Sequence, residues 1–301
     1  MELKDVLAID TMSRAFYCNL ELAKPMFECW EVQEMVKGTF SGVAKRMGIK
    51  PGEEWKVLGK IGPGSVEGVV KEMEEVGVQY MFIDEGKCWS RRDHCYWAYF
   101  PMDTLQKMID ESCGMLIGGA SYNPFRIKEE LEEIEKAVKE YGFKYVWAHP
   151  ISYGLRPDDK KMYPLYVKCI ELDIPCCIQV GHSAEPLPSE PGHPMYADEV
   201  AMDLPELKLV LTHTGFPWIH EWISMIWRHR NVYGNIGAYM PSFLDPAIVN
   251  FMNTRGQDKV MWATNGMGLT KSKKQFLELP LKDEVKKKVL RDNALSVFNL
   301  E

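Results

Sequence analysis

The chain has 301 residues, 46% hydrophobic and 26% charged, proportions that argue against a disordered or low-complexity protein. Its 36 Lys and Arg against 43 Asp and Glu leave a formal charge of −7, a poor complement to phosphate, so no nucleic-acid partner is expected. No apolar run approaches the roughly 20 residues of a membrane span. The acid-bearing start Met1-Glu2-Leu3-Lys4-Asp5 lacks the shape of a signal peptide. No membrane partner is expected, and the expected location is the cytoplasm. The cysteines at 18, 29, 88, 95, 113, 169, 176 and 177 form no CxxC pair and read as reduced, mostly buried thiols.

Short apolar runs alternate with amphipathic stretches along the chain. Strands are expected at Val6–Asp10, Tyr80–Glu85, Leu116–Tyr122, Tyr145–His149, Cys176–Val180, Lys208–His213, Val232–Gly237 and Lys259–Thr264. Several are continuously apolar, as parallel strands covered on both faces are. The clearest helix runs from Arg126 to Tyr141. It sets Ile127, Leu131, Ile134, Val138 and Tyr141 on one face, with Gly142 as its stop. Further helices are expected after Pro217-Trp218 and from about Lys282 to Phe298.

Eight strand-then-helix units predict an α/β fold, a (β/α)8 TIM barrel with an insertion of roughly residues 12–64 after the first strand. A doubly wound sheet is the alternative, but no GxGxxG loop follows the first strand. No linker or repeat divides residues 1–301, so one domain is expected. Chemistry in a barrel sits at the C-terminal strand ends. Those ends carry Asp10, Glu85, Tyr122, His149, Gln179, His182, His213, Asn235 and Asn265.

Three stretches then carry a resemblance. They are Tyr163-Pro164-Leu165-Tyr166 through Leu172-Asp173-Ile174-Pro175; Leu209-Val210-Leu211-Thr212-His213-Thr214-Gly215-Phe216-Pro217-Trp218 with Asn231-Val232-Tyr233; and Lys259-Val260-Met261-Trp262-Ala263-Thr264-Asn265 with Asp292-Asn293-Ala294. With Ile9-Asp10 they resemble the amidohydrolase-related family that includes aminocarboxymuconate-semialdehyde and resorcylate decarboxylases. The resemblance implies a divalent metal held by a His-x-His after the first strand, a His ending the fifth and an Asp ending the eighth. It also implies a His at the end of the sixth as acid/base.

This sequence departs at every metal position. Met12-Ser13-Arg14 stands for the His-x-His, Gln179 for the strand-five His and Asn265 for the strand-eight Asp. Amides are weak neutral donors, and a guanidinium repels a cation. No metal ligand is therefore expected among these positions, and no cofactor. Arg14 would stand in for the metal as electrophile or carboxylate clamp. His213 matches the remaining family position, which implies an acid/base role.

Other residues have weaker claims. Asp10 would cap a turn or hold Arg14 in a bidentate pair. Gln179 and Asn265 would hydrogen-bond a carbonyl or carboxylate, or else satisfy buried backbone. His182 would be a second acid/base group or cap the Pro-rich loop 183–193, and His149 a pocket donor or a structural residue. Cys177 shares the direction of Gln179 but lies deeper, as a core cysteine would. Trp89 to Phe100 reads WSRRDHCYWAYF; Trp89 and Arg91 would belong to a lid stacking on a flat anion, or to a subunit interface.

The expected protein is thus a metal-independent hydrolase acting on a cyclic or aromatic carboxylate, by lactone or ring-opening hydrolysis. The expected ligand is a small anion, and a homodimer is expected. A decarboxylase is the near alternative, and a non-catalytic barrel subunit or binding protein another. A different metal bound through His149, His182 and His213 would be a further possibility.

Overall fold

A computed structural model describes residues 3–301, apart from the Thr39 side chain; Met1 and Glu2, the first residues of the N-terminal stretch considered above, lie outside the described residues. Ten strands are present: β1 (Ala8–Asp10), β2 (Val78–Asp84), β3 (Cys88–Ser90), β4 (Cys95–Ala98), β5 (Leu116–Ser121), β6 (Tyr145–Ala148), β7 (Cys176–Gln179), β8 (Leu209–Thr212), β9 (Val232–Asn235) and β10 (Val260–Met261). Eight form one parallel sheet in the order β1-β2-β5-β6-β7-β8-β9-β10, curled into a TIM-barrel fold. All eight expected strands are there. Their ends are trimmed, because the last residues of several turn out of the ladder to face the barrel mouth.

The seam between β10 and β1 is made outside the regular ladder. Thr11 donates to the Trp262 carbonyl through its backbone N–H (3.2 Å) and its hydroxyl (2.9 Å). Asn265 N–H donates to the Met12 carbonyl at 2.7 Å. This stitch places the residues after β1 beside those after β10, although they are some 250 positions apart in sequence.

Alternation along the strands sorts side chains into two cores. Cys176, Ile178, Leu209 and Leu211 point outward to the helix layer. Ile9, Phe82, Tyr145, Trp147, Cys177 and Val210 fill the barrel interior. Phe298, from the last helix, meets Phe82 edge-on at a centroid distance of 4.7 Å. It closes the end of the barrel away from the mouth. The helix expected over 126–141 is Ile127–Lys139, with Ile134 and Ala137 buried and Gly142 beyond it at φ 72°. The helix after Trp218 is Ile219–Arg228. The last helix is interrupted: Asp283–Lys287 and Asn293–Val297 flank a π turn over Lys288–Asp292. There the Asn293 amide reaches back to the Val260 carbonyl of β10 at 2.7 Å.

The insertion is a set of short helices laid over the mouth. They are Ala15–Cys18, Leu20–Glu28, Trp30–Met35 running through Val36–Phe40 into Ser41–Arg46, then Glu54–Val57 and Leu58–Ile61. The WSRRDHCYWAYF segment, read above as a lid or an interface, is an antiparallel hairpin of β3 and β4 pairing Cys88 with Ala98 and Trp89 with Tyr96. No helix among the described residues is long and apolar enough to cross a membrane.

The loop after β7 depends on two glycines. Gly181, at φ 82°, donates its N–H to the Gly192 carbonyl at 2.7 Å. A Cβ on Gly192 would lie 1.9 Å from the Gly181 carbonyl oxygen, so a side chain there must push backbone apart. Gly192→Ala is expected to destabilise the protein by about 2 kcal/mol or more in urea unfolding. A change within about 0.5 kcal/mol, the range of an ordinary surface substitution, would mean the loops are not clamped in this way.

Candidate active site

Three loops bring charge and imidazole together at the barrel mouth. Arg14 follows β1, His213 follows β8 and Asn265 follows β10. The Arg14 Nε–H donates to Asn265 Oδ1 at 2.7 Å, and a terminal guanidinium nitrogen lies 3.7 Å from Asp84 Oδ1. The guanidinium carbon sits 4.3 Å from the centroid of the Trp147 ring. An arginine fixed on three sides is pre-organised rather than a mobile surface cation.

Asp84 is the carboxylate partner of Arg14, so of the two roles expected for Asp10 the turn cap holds and the pairing with Arg14 does not. Asp10 is drawn into the seam. It accepts from Met12 N–H (3.2 Å), Thr264 N–H (2.9 Å) and the Thr264 hydroxyl (2.5 Å). Burial pushes its carboxyl up to about 7 against those hydrogen bonds. Asp84 is likewise buried, and its carboxyl rises to about 6, with the Arg14 charge holding it lower than burial alone would. Strand alternation from Phe82 turns Asp84 inward, and this was the overlooked signal.

This gives a sign for stability. A carboxyl raised in the folded state binds more protons there than in the unfolded chain. Asp84 therefore costs stability as pH rises from its unfolded value of 3.8 to about 6. A shift of that size is worth roughly 3 kcal/mol. Asp84→Asn should shrink the loss of stability between about pH 4 and pH 7 by that order. An unchanged difference in urea unfolding would contradict it.

His213 sits where β8 ends. Alternation from Val210 gives Thr212, not His213, the inward direction. The left-handed backbone at His213 (φ 71°) and Thr214 (φ 59°) bends the chain so that the imidazole lines the cavity. The His213 backbone N–H donates to Asn235 Oδ1 at 3.4 Å. Neither ring nitrogen makes a hydrogen bond of good geometry within the protein. Burial drives its pKa well below 6.5, and the Arg14 charge adds to this, while the Asn265 side chain opposes it. The result is a neutral imidazole with open nitrogens. His149 is neutral too: burial, then Arg14, lowers its pKa to about 3. Its Nδ1 accepts from Ser152 N–H at 3.2 Å, which assigns the ring proton to Nε2.

A cavity of about 460 Å³ opens above these groups. Arg14, His149, Gln179, His182, His213 and Asn265 all line it. Gln179 Oε1 is buried without a partner. His182 is exposed at the rim, edge-on to Phe216 at 5.0 Å.

Trp89 and Arg91 are not among the lining residues, a correction to their expected place. The hairpin turns Trp89 outward to stack on Tyr153 at 6.4 Å, and Arg91 lies exposed at its turn. The hairpin gives the cavity Cys88, Trp97 and Ala98 instead, with Phe100 just beyond it. Three mouth residues are spent on structure. Glu85 Oε2 accepts from Ser121 N–H at 3.0 Å, the Tyr122 hydroxyl donates to the Lys161 carbonyl at 2.8 Å, and Asn235 Oδ1 also accepts from Gly237 N–H at 3.3 Å. Cys177 is buried in the barrel interior, and burial holds its thiol well above 9.

The mouth does not fit a divalent metal of the kind expected from the resemblance. Arg14 is fixed between Asn265 and Asp84, and of the other positions Met12 supplies a thioether and Gln179 and Asn265 supply amides. Among the described residues no three His, Cys, Asp or Glu side chains are grouped to hold a metal, so His149, His182 and His213 form no such set.

A closed parallel barrel with a polar, buried mouth defines the class: an α/β barrel of the enzyme type. Residues 98–300 match the sequence model of the family described as Amidohydrolase, and the chain belongs to that family. A 2-keto-4-carboxy-3-hexenedioate hydratase from Sphingobium is 29% identical over a stretch covering 31% of this chain and 32% of that protein. The match thus spans about a third of the curated relative. An uncharacterised TIM-barrel protein from Bordetella bronchiseptica superposes with a TM-score of 0.72 at 21% identity, covering 97% of this chain and 98% of that one. A 5-carboxyvanillate decarboxylase from Sphingomonas paucimobilis does so at 0.68 and 14% identity, covering 98% and 100%. At such identities the superpositions speak for the fold. The relatives with assigned activities, a hydratase and a decarboxylase, are enzymes.

Proposed function

We propose that this protein is a metal-independent hydrolase that opens a lactone or related ring of a cyclic or aromatic carboxylate. The observation that carries the proposal is the pairing of a neutral, open-nitrogen His213 with a fixed Arg14 in one cavity. An imidazole that stays unprotonated in neutral solution is a base, as water activation requires. His213 takes a proton from water as the water oxygen bonds to the ring carbonyl carbon. The carbonyl oxygen becomes an oxyanion. Arg14 faces it with the N–H groups not used on Asn265 or Asp84, and Gln179 and Asn265 add amide N–H donors. The ring C–O bond then breaks, and protonated His213 returns the proton to the leaving oxygen. His149 offers an Nε2–H donor to the same cavity, and His182 stands at its rim as a second acid/base group.

Decarboxylation is the second reading, favoured by the decarboxylases that share the fold. There Arg14 would hold a charged group and His213 would protonate a ring carbon. The test is a panel of aromatic lactones and aromatic acids followed in parallel by acid release and carbon dioxide release. Acid release from a lactone without carbon dioxide upholds the hydrolase. Carbon dioxide from an acid replaces it with the lyase. Tight binding with no turnover of either set replaces both with a binding protein.

A further inference from the structure

The cavity is larger than its polar chemistry needs. About 460 Å³ is available, whereas roughly 150 Å³ already accommodates a benzene ring. Arg14, His149, Gln179, His213 and Asn265 sit at one end, by the strand termini, and Glu54 is the charged residue that the insertion adds. The other end is roofed by the insertion after β1, through Phe27, Val32, Met35, Phe40, Val57 and Ile61. Val32 and Val57 are buried, so this roof is packed against the protein rather than loosely draped. Nothing in a reaction at Arg14 and His213 uses that apolar end.

The charge of the lining sets a second limit. Arg14 is the only Lys or Arg among the described lining residues, and Asp84 and Asn265 already hold part of it. Glu54 and Glu185 line the same cavity. A ligand with one carboxylate finds a partner. A second carboxylate finds no cation and two acids, and pays desolvation without return.

We infer that the substrate is a monocarboxylate carrying an apolar body well beyond a single ring, its head on Arg14 and its body under the insertion. The anionic head rests on the proposed function; the apolar subsite does not. Burying each added methylene under the roof is expected to tighten binding about fourfold, the equivalent of ~0.8 kcal/mol.

Calorimetric titration of the full chain with benzoate, 4-ethyl-, 4-butyl- and 4-hexylbenzoate, and terephthalate tests this. The 4-hexyl compound should bind at least about a hundredfold tighter than benzoate. Terephthalate should bind at least about tenfold weaker than 4-ethylbenzoate. Met35→Glu puts a carboxylate into the roof and should cut the hexyl-to-benzoate ratio about tenfold. The ratio is read within one preparation, so a partly unfolded variant does not distort it. A ratio near one in the parent protein, or terephthalate binding as tightly as the alkyl compounds, would overturn the inference. Arg14→Gln should weaken every member by one common factor and keep the ratio. A preserved ratio with no weakening would uphold the apolar subsite and overturn Arg14 as the partner of an anionic oxygen, on which the proposed function relies.

Discussion

His213→Asn is expected to lower kcat for ring hydrolysis by about 10²–10⁴-fold, with a much smaller change in KM. Asparagine suits the test because it tolerates the left-handed backbone that His213 occupies at φ 71°. The fold should therefore survive, and the loss can be read as loss of a base. The parent enzyme's pH profile is a second readout. Protonation removes the base, and burial with the Arg14 charge makes protonation harder. The acid limb of kcat/KM should lie well below pH 6.5, with a plateau through neutrality. An acid limb above 6.5, or a His213→Asn enzyme of near-parent rate, would contradict the assignment.

Arg14→Met is expected to reduce kcat/KM by about 10²–10³-fold, the scale for losing one pre-organised oxyanion donor. Arg14→Lys should recover little of it. An ammonium is a point charge, and cannot reach Asn265 and Asp84 together while lying flat on Trp147. Arg14→Met leaves Asp84 without its cation, so the Asp84 carboxyl should rise further above about 6 in that variant. If Arg14 were only an ion-pair partner, the variants would change thermal stability and leave KM and kcat in place. Steady-state kinetics beside a thermal melt separates the two.

The barrel was legible because its strands are short apolar runs at even spacing. The same spacing located the mouth, and Arg14, His149, Gln179, His182, His213 and Asn265 line one cavity there, whereas Trp89 and Arg91 do not. Three features were hidden for physical reasons. The Arg14–Asp84 pair is a contact between neighbouring strand ends, and only strand alternation hints at it. The hairpin of β3 and β4 reads as a loop because its aromatic and charged residues lack the plain alternation of a half-buried strand. The insertion shows no motif, since a roof needs only apolar side chains, and these also describe any core helix. Asp10 caps a local turn through Met12 N–H, one of its two expected roles, but its seam bonds to Thr264 depend on closing the barrel, which no local pattern encodes.

In the proposed mechanism Arg14, rather than a metal, supplies the positive charge at this mouth. The most direct test is the metal content of protein purified without added metal, measured by plasma mass spectrometry with Arg14→Ala as control and paired with activity after chelation. The account predicts far less than stoichiometric transition metal and turnover that survives the chelator. Stoichiometric zinc, manganese or iron, lost together with activity on chelation, would contradict it.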